Sequence, residues 1–396
     1  MSGSPPFSAE RLVTLANWCQ PPYNRWAFQH VRELIPTAAI PRGDGPVWAL
    51  ERDERDVIGI SFPTEQGELT VGELLDTTYT DGFLVLHHGR IVAEQYRNGL
   101  RPGTPHLLMS VSKSITGLVA GALAGRGALD VNATVDAVVP ELKAMSFHGA
   151  TVQQLLDMRT GTKFGEDYLD PDSEIAISDR VYQWAPDDGR PRPADALAYF
   201  ATLDNEAEHG GPFNYRSILV DVLAWVLERA AGQRFHELVG ELLWQPMGAE
   251  HDAEITLDGR GNPLADGGIS ATLRDAARIG QLALQRGAAG PSGVQVVPAA
   301  WIDDTIAGAP DGRKAFADSD SAAGYPPGAH YRNCWWVTNP ELPMYHAAGI
   351  HGQHIIVHVP SQTVVVKLSS WPDALNSRLR RATAAAAAAI AGELAR

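Results

Sequence analysis

The chain has 396 residues, 44% hydrophobic and 20% charged, enough to bury a large core as an ordinary globular protein of two or three domains. Its 47 acidic against 32 basic residues give a formal charge of -15 with no cluster of Lys and Arg, which excludes a nucleic-acid partner. Cys19 and Cys334 make neither a disulfide framework nor a cysteine metal site, and no run is long and apolar enough to span a bilayer. Residues 1–11 lack the apolar core of a secretory signal, so a cytoplasmic protein with no membrane partner is expected.

Residues 1–60, rich in Pro, Trp and Arg, read as an irregular wrapping arm with one amphipathic piece at 25–34. The runs 83–86 and 91–96, joined through His87-His88-Gly89-Arg90, predict a β-hairpin. Ser110-Val111-Ser112-Lys113 then opens a segment in which Ile115, Leu118, Val119, Ala122 and Leu123 recur at spacings of three and four. That spacing predicts a helix with a buried apolar face. A serine hydroxyl is a poor nucleophile, and a lysine one turn along can take its proton if desolvation or a nearby positive charge lowers the amine's pKa. The shared face selects Ser110 over Ser112. Read alone, the pair is equally an N-cap serine and a surface lysine. The helix start, whose N–H groups point toward Ser110, and the apolar flanks favour chemistry.

Thr151 is placed to cap a short helix over 152–158. Further helices are predicted at 221–231, 235–243 and 273–284, with long loops at 182–193 and 307–328 of the kind that wall a site. Tyr215 follows the Gly210-Gly211-Pro212 turn. A phenol held near a lysine ammonium has its pKa lowered and can pass a proton to a leaving group. Gly349-Ile350-His351-Gly352-Gln353 leads into a strand, where an edge N–H can serve as an oxyanion donor. A second hairpin over 354–359 and 363–368 precedes an alanine-rich helix over 375–396. The expected architecture is α/β, an antiparallel sheet flanked by helices plus a mostly helical lobe. Residues 61–105 and 335–396 form the sheet lobe, 106–334 the helical lobe, with the site in the cleft between. His354 and His358 share a strand face without Cys or carboxylate, so no metal is expected.

Ser-x-x-Lys, Leu-Leu-x-Met-x-Thr-Gly (155–161), Tyr-x-Ser (215–217), Gly-Gly-Ile-Ser (267–270) and His-Gly-Gln (351–353) occur in that order. The set resembles the serine β-lactamase-like hydrolases, which include class C β-lactamases, D-alanyl-D-alanine peptidases and esterases. The runs at 21–28, 107–114, 166–171, 221–225, 349–353 and 366–373 resemble more closely the nylon-oligomer hydrolases, which act on 6-aminohexanoate dimer.

The resemblance implies Ser110 as nucleophile, Lys113 as its activating partner and Tyr215 as proton donor to the leaving amine. The Ser110 and Ile350 N–H groups would form the oxyanion hole. Tyr168 would close over the substrate, Asp179 would meet its ammonium end, and Trp336, Asp266 and His351 would complete the binding set. The implied substrates are linear amides of 6-aminohexanoate and short-chain esters, small molecules handled without a cofactor. Association as a homodimer stays open. Asp266 stands where the nylon-oligomer hydrolases carry Asn, which favours cationic substrate ends unless Arg216 neutralises it. His351-Gly352-Gln353 replaces the Lys-Thr-Gly of β-lactamases and removes their carboxylate-binding cation. Remaining readings are a carboxylesterase or a D-aminopeptidase- or β-lactamase-like hydrolase without nylon-oligomer activity, and a non-catalytic penicillin-binding-like ligand sensor. Without the resemblance, Tyr168 and Asp179, in and beside the acidic run 166–174, read as solvated.

Overall fold

The hairpins predicted near opposite ends of the chain meet in one sheet. A computed structural model describes residues 8–290, 292–341 and 343–396. Its largest sheet has seven antiparallel strands in the order His330–Arg332, Trp335–Asn339, Met344–Gly349, Gln353–His358, Thr363–Ser369, Thr80–His87 and Arg90–Tyr96. The early and late parts of the chain join where Val366 pairs with Leu84 and Val364 with Leu86. His88 (φ 48°) and Gly89 (φ 74°) close the first hairpin, two left-handed residues whose twist matches that of the strands. Thr80–His87 is buried throughout because both sheet faces are covered. Phe83, Val85, Ile356 and Val365 pack under the C-terminal helix Ser377–Leu394, while Leu84, Leu86, Ile355 and Val366 face the main core.

The helix Val111–Gly125 runs through that core. Every residue from Val111 to Leu123 is buried, so the helix is enclosed all round rather than on one face. Gly117 makes this enclosure tolerable. A methyl group there would lie 2.3 Å from the Asn333 carbonyl oxygen, so the helix backbone rests directly on the turn that joins the first two strands of the large sheet.

A smaller antiparallel sheet, ordered Thr37–Ile40, Ala253–Thr256, Ile269–Ala271 and His106–Leu107, positions the head of this helix. The Leu108 N–H donates to the Ile269 carbonyl (2.9 Å) and the Ile269 N–H to Ser112 Oγ (3.1 Å). Ser110 is thereby held beside the segment carrying Asp266.

Several sequence expectations are corrected. The segment read as an irregular arm supplies a strand, Thr37–Ile40, and residues 51–55 hydrogen-bond to Ile91 and Val92, covering the sheet's outer edge. The stretch 106–334 is not purely helical. It holds three strands of the small sheet and the first of the large one, each of two to four residues and too short for alternation to show. The helix Leu273–Leu284 falls within it, yet packs on the large sheet. Residues 307–328, expected as loop, contain the helix Pro310–Ala317, started by a proline at a first-turn position. The predicted helix at 152–158 ends at Leu156, with Thr151 as its cap in a full capping box.

Candidate active site

Ser110 is the N-cap of the helix Val111–Gly125 and half-buried, and it follows Met109, whose φ of 49° is left-handed for a residue with a side chain. Such backbone strain persists where the surrounding structure imposes it. Lys113, 1% exposed, points back at the serine. Its Nζ donates to Ser110 Oγ (2.8 Å), to the Asp266 carbonyl (2.9 Å) and to Asp266 Oδ2 (3.3 Å). An ammonium has three donors, and here all three are used. The same nitrogen lies 5.1 Å from the centroid of the Tyr215 ring.

These neighbours overturn one expectation. Burial works to lower the Lys113 pKa, as anticipated, but Tyr215, Asp266 and Glu166 outweigh it and the pKa is raised. The resting site holds an ammonium, not a free amine. Burial raises the Tyr215 phenol, while Lys113 and a hydrogen bond with Ser110 pull it down. The net direction for Tyr215 is also up, so at rest the phenol and the ammonium each keep their proton, and the serine hydroxyl lies against both.

Glu166 went unnoticed among the acidic residues of its loop. Its Oε1 accepts the Ser217 N–H, and the Tyr168 hydroxyl donates to its Oε2 (3.2 Å). Burial chiefly raises its pKa, against the opposing pull of Lys113. Asp266, 7% exposed, uses Oδ2 for Lys113 and leaves Oδ1 buried with no hydrogen-bond partner among the described residues. Arg216 does not neutralise it, since its guanidinium bonds the Thr160 carbonyl (2.7 Å) and Glu206 instead.

At the strand end beside Ser110, Gly349 approaches so closely that an added Cβ would meet the Leu108 carbonyl oxygen at 2.6 Å and the Ser110 nitrogen at 3.0 Å. Ile350 follows directly and lines the same cavities as Ser110. His351 (φ 58°) is 4% exposed, with Nδ1 turned to the Trp371 carbonyl (2.7 Å) and its ring edge on Phe28. Its imidazole braces the 371–374 segment that walls the site.

Two cavities adjoin at Ser110, and Glu166, Tyr168 and Ile350 line both. The larger, about 630 Å³, is walled by Asp179, Asp266, Trp184, Leu264 and Leu169, with Cys19 and Gln20 brought in from the N-terminal segment. Among the described residues, no Lys or Arg lines it. Burial, reinforced by Asp266 and Glu166, pushes the Asp179 carboxyl up to about 7. The smaller, about 390 Å³, contains Tyr215, Trp336 and Tyr325. Trp336 stacks on both tyrosines, at 5.4 Å from Tyr215 and 5.5 Å from Tyr325. Every site residue predicted from the sequence thus lies at one or other cavity or, for Lys113, directly beneath their junction. Among the described residues no group of three or more His, Cys, Asp or Glu is arranged to hold a metal, and no helix is long and apolar enough to cross a membrane.

A serine polarised by a buried lysine, set between two sheets and facing a phenol, defines a serine hydrolase of the penicillin-recognising fold. The chain belongs to the Beta-lactamase family, whose model matches residues 70–390. It is 40% identical over 369 residues to the 6-aminohexanoate-dimer hydrolase of Paenarthrobacter ureafaciens, covering 93% of this chain and 91% of that one. A solved Bacillus anthracis structure, provisionally named 6-aminohexanoate-dimer hydrolase, superposes with a TM-score of 0.86 at 27% identity over 98% of both chains. A family VIII carboxylesterase shares the fold at a TM-score of 0.58 and 17% identity, over 79% of this chain and 93% of its own.

Proposed function

We propose that this hydrolase cleaves linear amides whose acyl part ends in a free ammonium group, with 6-aminohexanoate dimer as the model substrate. The observation that carries this reading is the larger cavity, which sets Glu166, Asp179 and Asp266 around Ser110 without a lining cation. A cationic acyl chain is attracted there, and the apolar Trp184, Leu264 and Leu169 suit its methylenes. Ser110 Oγ attacks the carbonyl, and its proton passes to the Tyr215–Lys113 pair once that pair has given one of its own protons to solvent. The Ser110 and Ile350 N–H groups hold the developing oxyanion. Tyr215 then protonates the departing nitrogen, and water hydrolyses the acyl-enzyme on Ser110. Short-chain esters fit the same sequence of steps. We place the enzyme in the cytoplasm, a reading that its two unpaired thiols support.

The test compares 6-aminohexanoate dimer with its N-acetylated form, in wild type and Ser110→Ala. Wild type should favour the free-ammonium dimer by about tenfold or more in kcat/KM, as expected for a charge-assisted contact. Ser110→Ala should lose turnover and fluorophosphonate labelling while melting as wild type does. Equal rates on the two dimers would reject the cationic acyl subsite. Retained turnover in Ser110→Ala would reject the nucleophile.

A further inference from the structure

The smaller cavity has a charge that the reaction steps above leave unused. Arg380 lines it, together with Tyr215, Tyr325, Trp336, His354, Asn376 and Ser377. The guanidinium lies 5.6 Å from the Tyr325 ring centroid and 3.5 Å from its hydroxyl, and among the described residues it pairs with no carboxylate. In a chain of net charge -15, an arginine left without an acid at the nucleophile's own cavity is conspicuous.

Its position sharpens the point. Arg380 sits in the first turn of the 18-residue helix Ser377–Leu394, whose opening turn holds no acidic residue. The N-terminus of a helix carries partial positive charge and ordinarily attracts acids, not arginines. The neighbouring arginines are both engaged elsewhere, Arg381 by Glu65 and Arg378 by Gln66. A local rule broken without compensation marks a functional site. Independently, His354 lines the same cavity at 5% exposure, and its Nε2 has no hydrogen-bond partner among the described residues. Burial, His346, Lys367 and Arg380 together keep its imidazole neutral. The helix N-terminus and a guanidinium that meets no acid favour an anion in this space, and His354 Nε2 donates to it in the tautomer that carries its proton there.

The direction of the reaction says which part of the substrate brings it. Tyr215 lines the smaller cavity and not the larger, while Asp179 lines the larger and not the smaller. The nitrogen that Tyr215 protonates therefore departs on the Arg380 side. We propose that Arg380 is the residue that holds the carboxylate carried by the departing amine, which makes it the specificity determinant on the leaving-group side of the site. This rests on the proposed amidase reading, and it adds the second charged end.

The test uses 6-aminohexanoate and 6-aminohexanamide, which differ only in that carboxylate. Calorimetric titration of the wild-type protein should give a Kd about tenfold or more lower for the acid than for the amide. Arg380→Gln should collapse the ratio toward one, and Arg380→Lys should restore part of it. In parallel, kcat/KM is measured for 6-aminohexanoate dimer and for the same dimer with its carboxylate amidated. Equal wild-type affinities for acid and amide, or a preference that survives Arg380→Gln, would overturn the proposal. Should Arg380→Gln fail to fold, the wild-type ratio together with Arg380→Lys still decides. A dimer that is bound with the predicted acid preference but never cleaved would instead reject the amidase reading and leave the carboxylate site standing.

Discussion

Gly349→Ala isolates the strand edge that faces Ser110. Gly349 is extended at φ -131° and ψ 152°, a conformation any residue adopts, so the substitution adds contact without backbone strain. The new methyl would sit 2.6 Å from the Leu108 carbonyl oxygen and 2.9 Å from Met109 Cβ, where ordinary contact begins near 3.4 Å. Relief requires the strand end and the Leu108–Ser110 turn to part by up to about 0.8 Å. Overpacking of this size costs about 1–3 kcal/mol in stability. The larger effect is on catalysis, because active-site geometry is productive only within about 0.5 Å and one oxyanion donor is worth about 100- to 1,000-fold in kcat. Steady-state kinetics should show kcat on an amide reduced about 100-fold or more, with KM much less affected. Gly392→Ala is the control, since nothing lies within 4 Å of that position in the C-terminal helix, and it should raise the melting temperature through helix propensity. If Gly349→Ala kept kcat within about threefold of wild type, where loss of a donor predicts at least 100-fold, the strand edge would not be setting the oxyanion site.

Tyr215→Phe should slow amide cleavage by about 100-fold or more but p-nitrophenyl ester cleavage far less, because p-nitrophenolate leaves without a proton; equal losses would remove Tyr215 from the donor role. With its carboxyl pushed up to about 7, Asp179 is increasingly neutral below that pH. KM for an ammonium-bearing substrate should therefore fall as pH rises from 6 to 8, with the N-acetylated substrate unresponsive. Asp179→Asn should flatten the profile, and a profile unchanged in that variant would place the titration elsewhere. Asp266→Asn withdraws one of the charges that raise the Lys113 pKa, so the acid limb of the pH–rate curve should move to lower pH. A limb that stays put or moves up would show that Asp266 does not govern the Lys113 proton.

The Ser110–Lys113 pair was legible because its signal is local: the two share a helix face, and the apolar spacing that follows declares the helix. The hairpins were legible for the same reason. The charge state of Lys113 was not, since it depends on Asp266, 153 residues further along the chain, arriving through the small sheet. Glu166 carried no signal because its loop is acidic throughout, and only folding separates it from solvated neighbours. Pro310 did carry a readable signal, a helix-starting proline, but the Pro-, Asp- and Gly-rich composition of 307–328 reads as loop. Strands as short as His106–Leu107 are set by tertiary pairing and leave no pattern to read.

On the proposed mechanism, the division of the site at Ser110 also sets the order in which its products leave. Once the amide bond breaks, the acyl chain stays tethered on the acidic side while the amine is free to depart from the aromatic side. Water then enters through the space the amine has vacated, so the first product and the second reactant use one doorway in turn. An amine that lingers or returns there meets the acyl-enzyme before water does and remakes an amide. The partition between breaking and making bonds is thus governed by the amine concentration outside the aromatic compartment, with the acidic compartment occupied throughout.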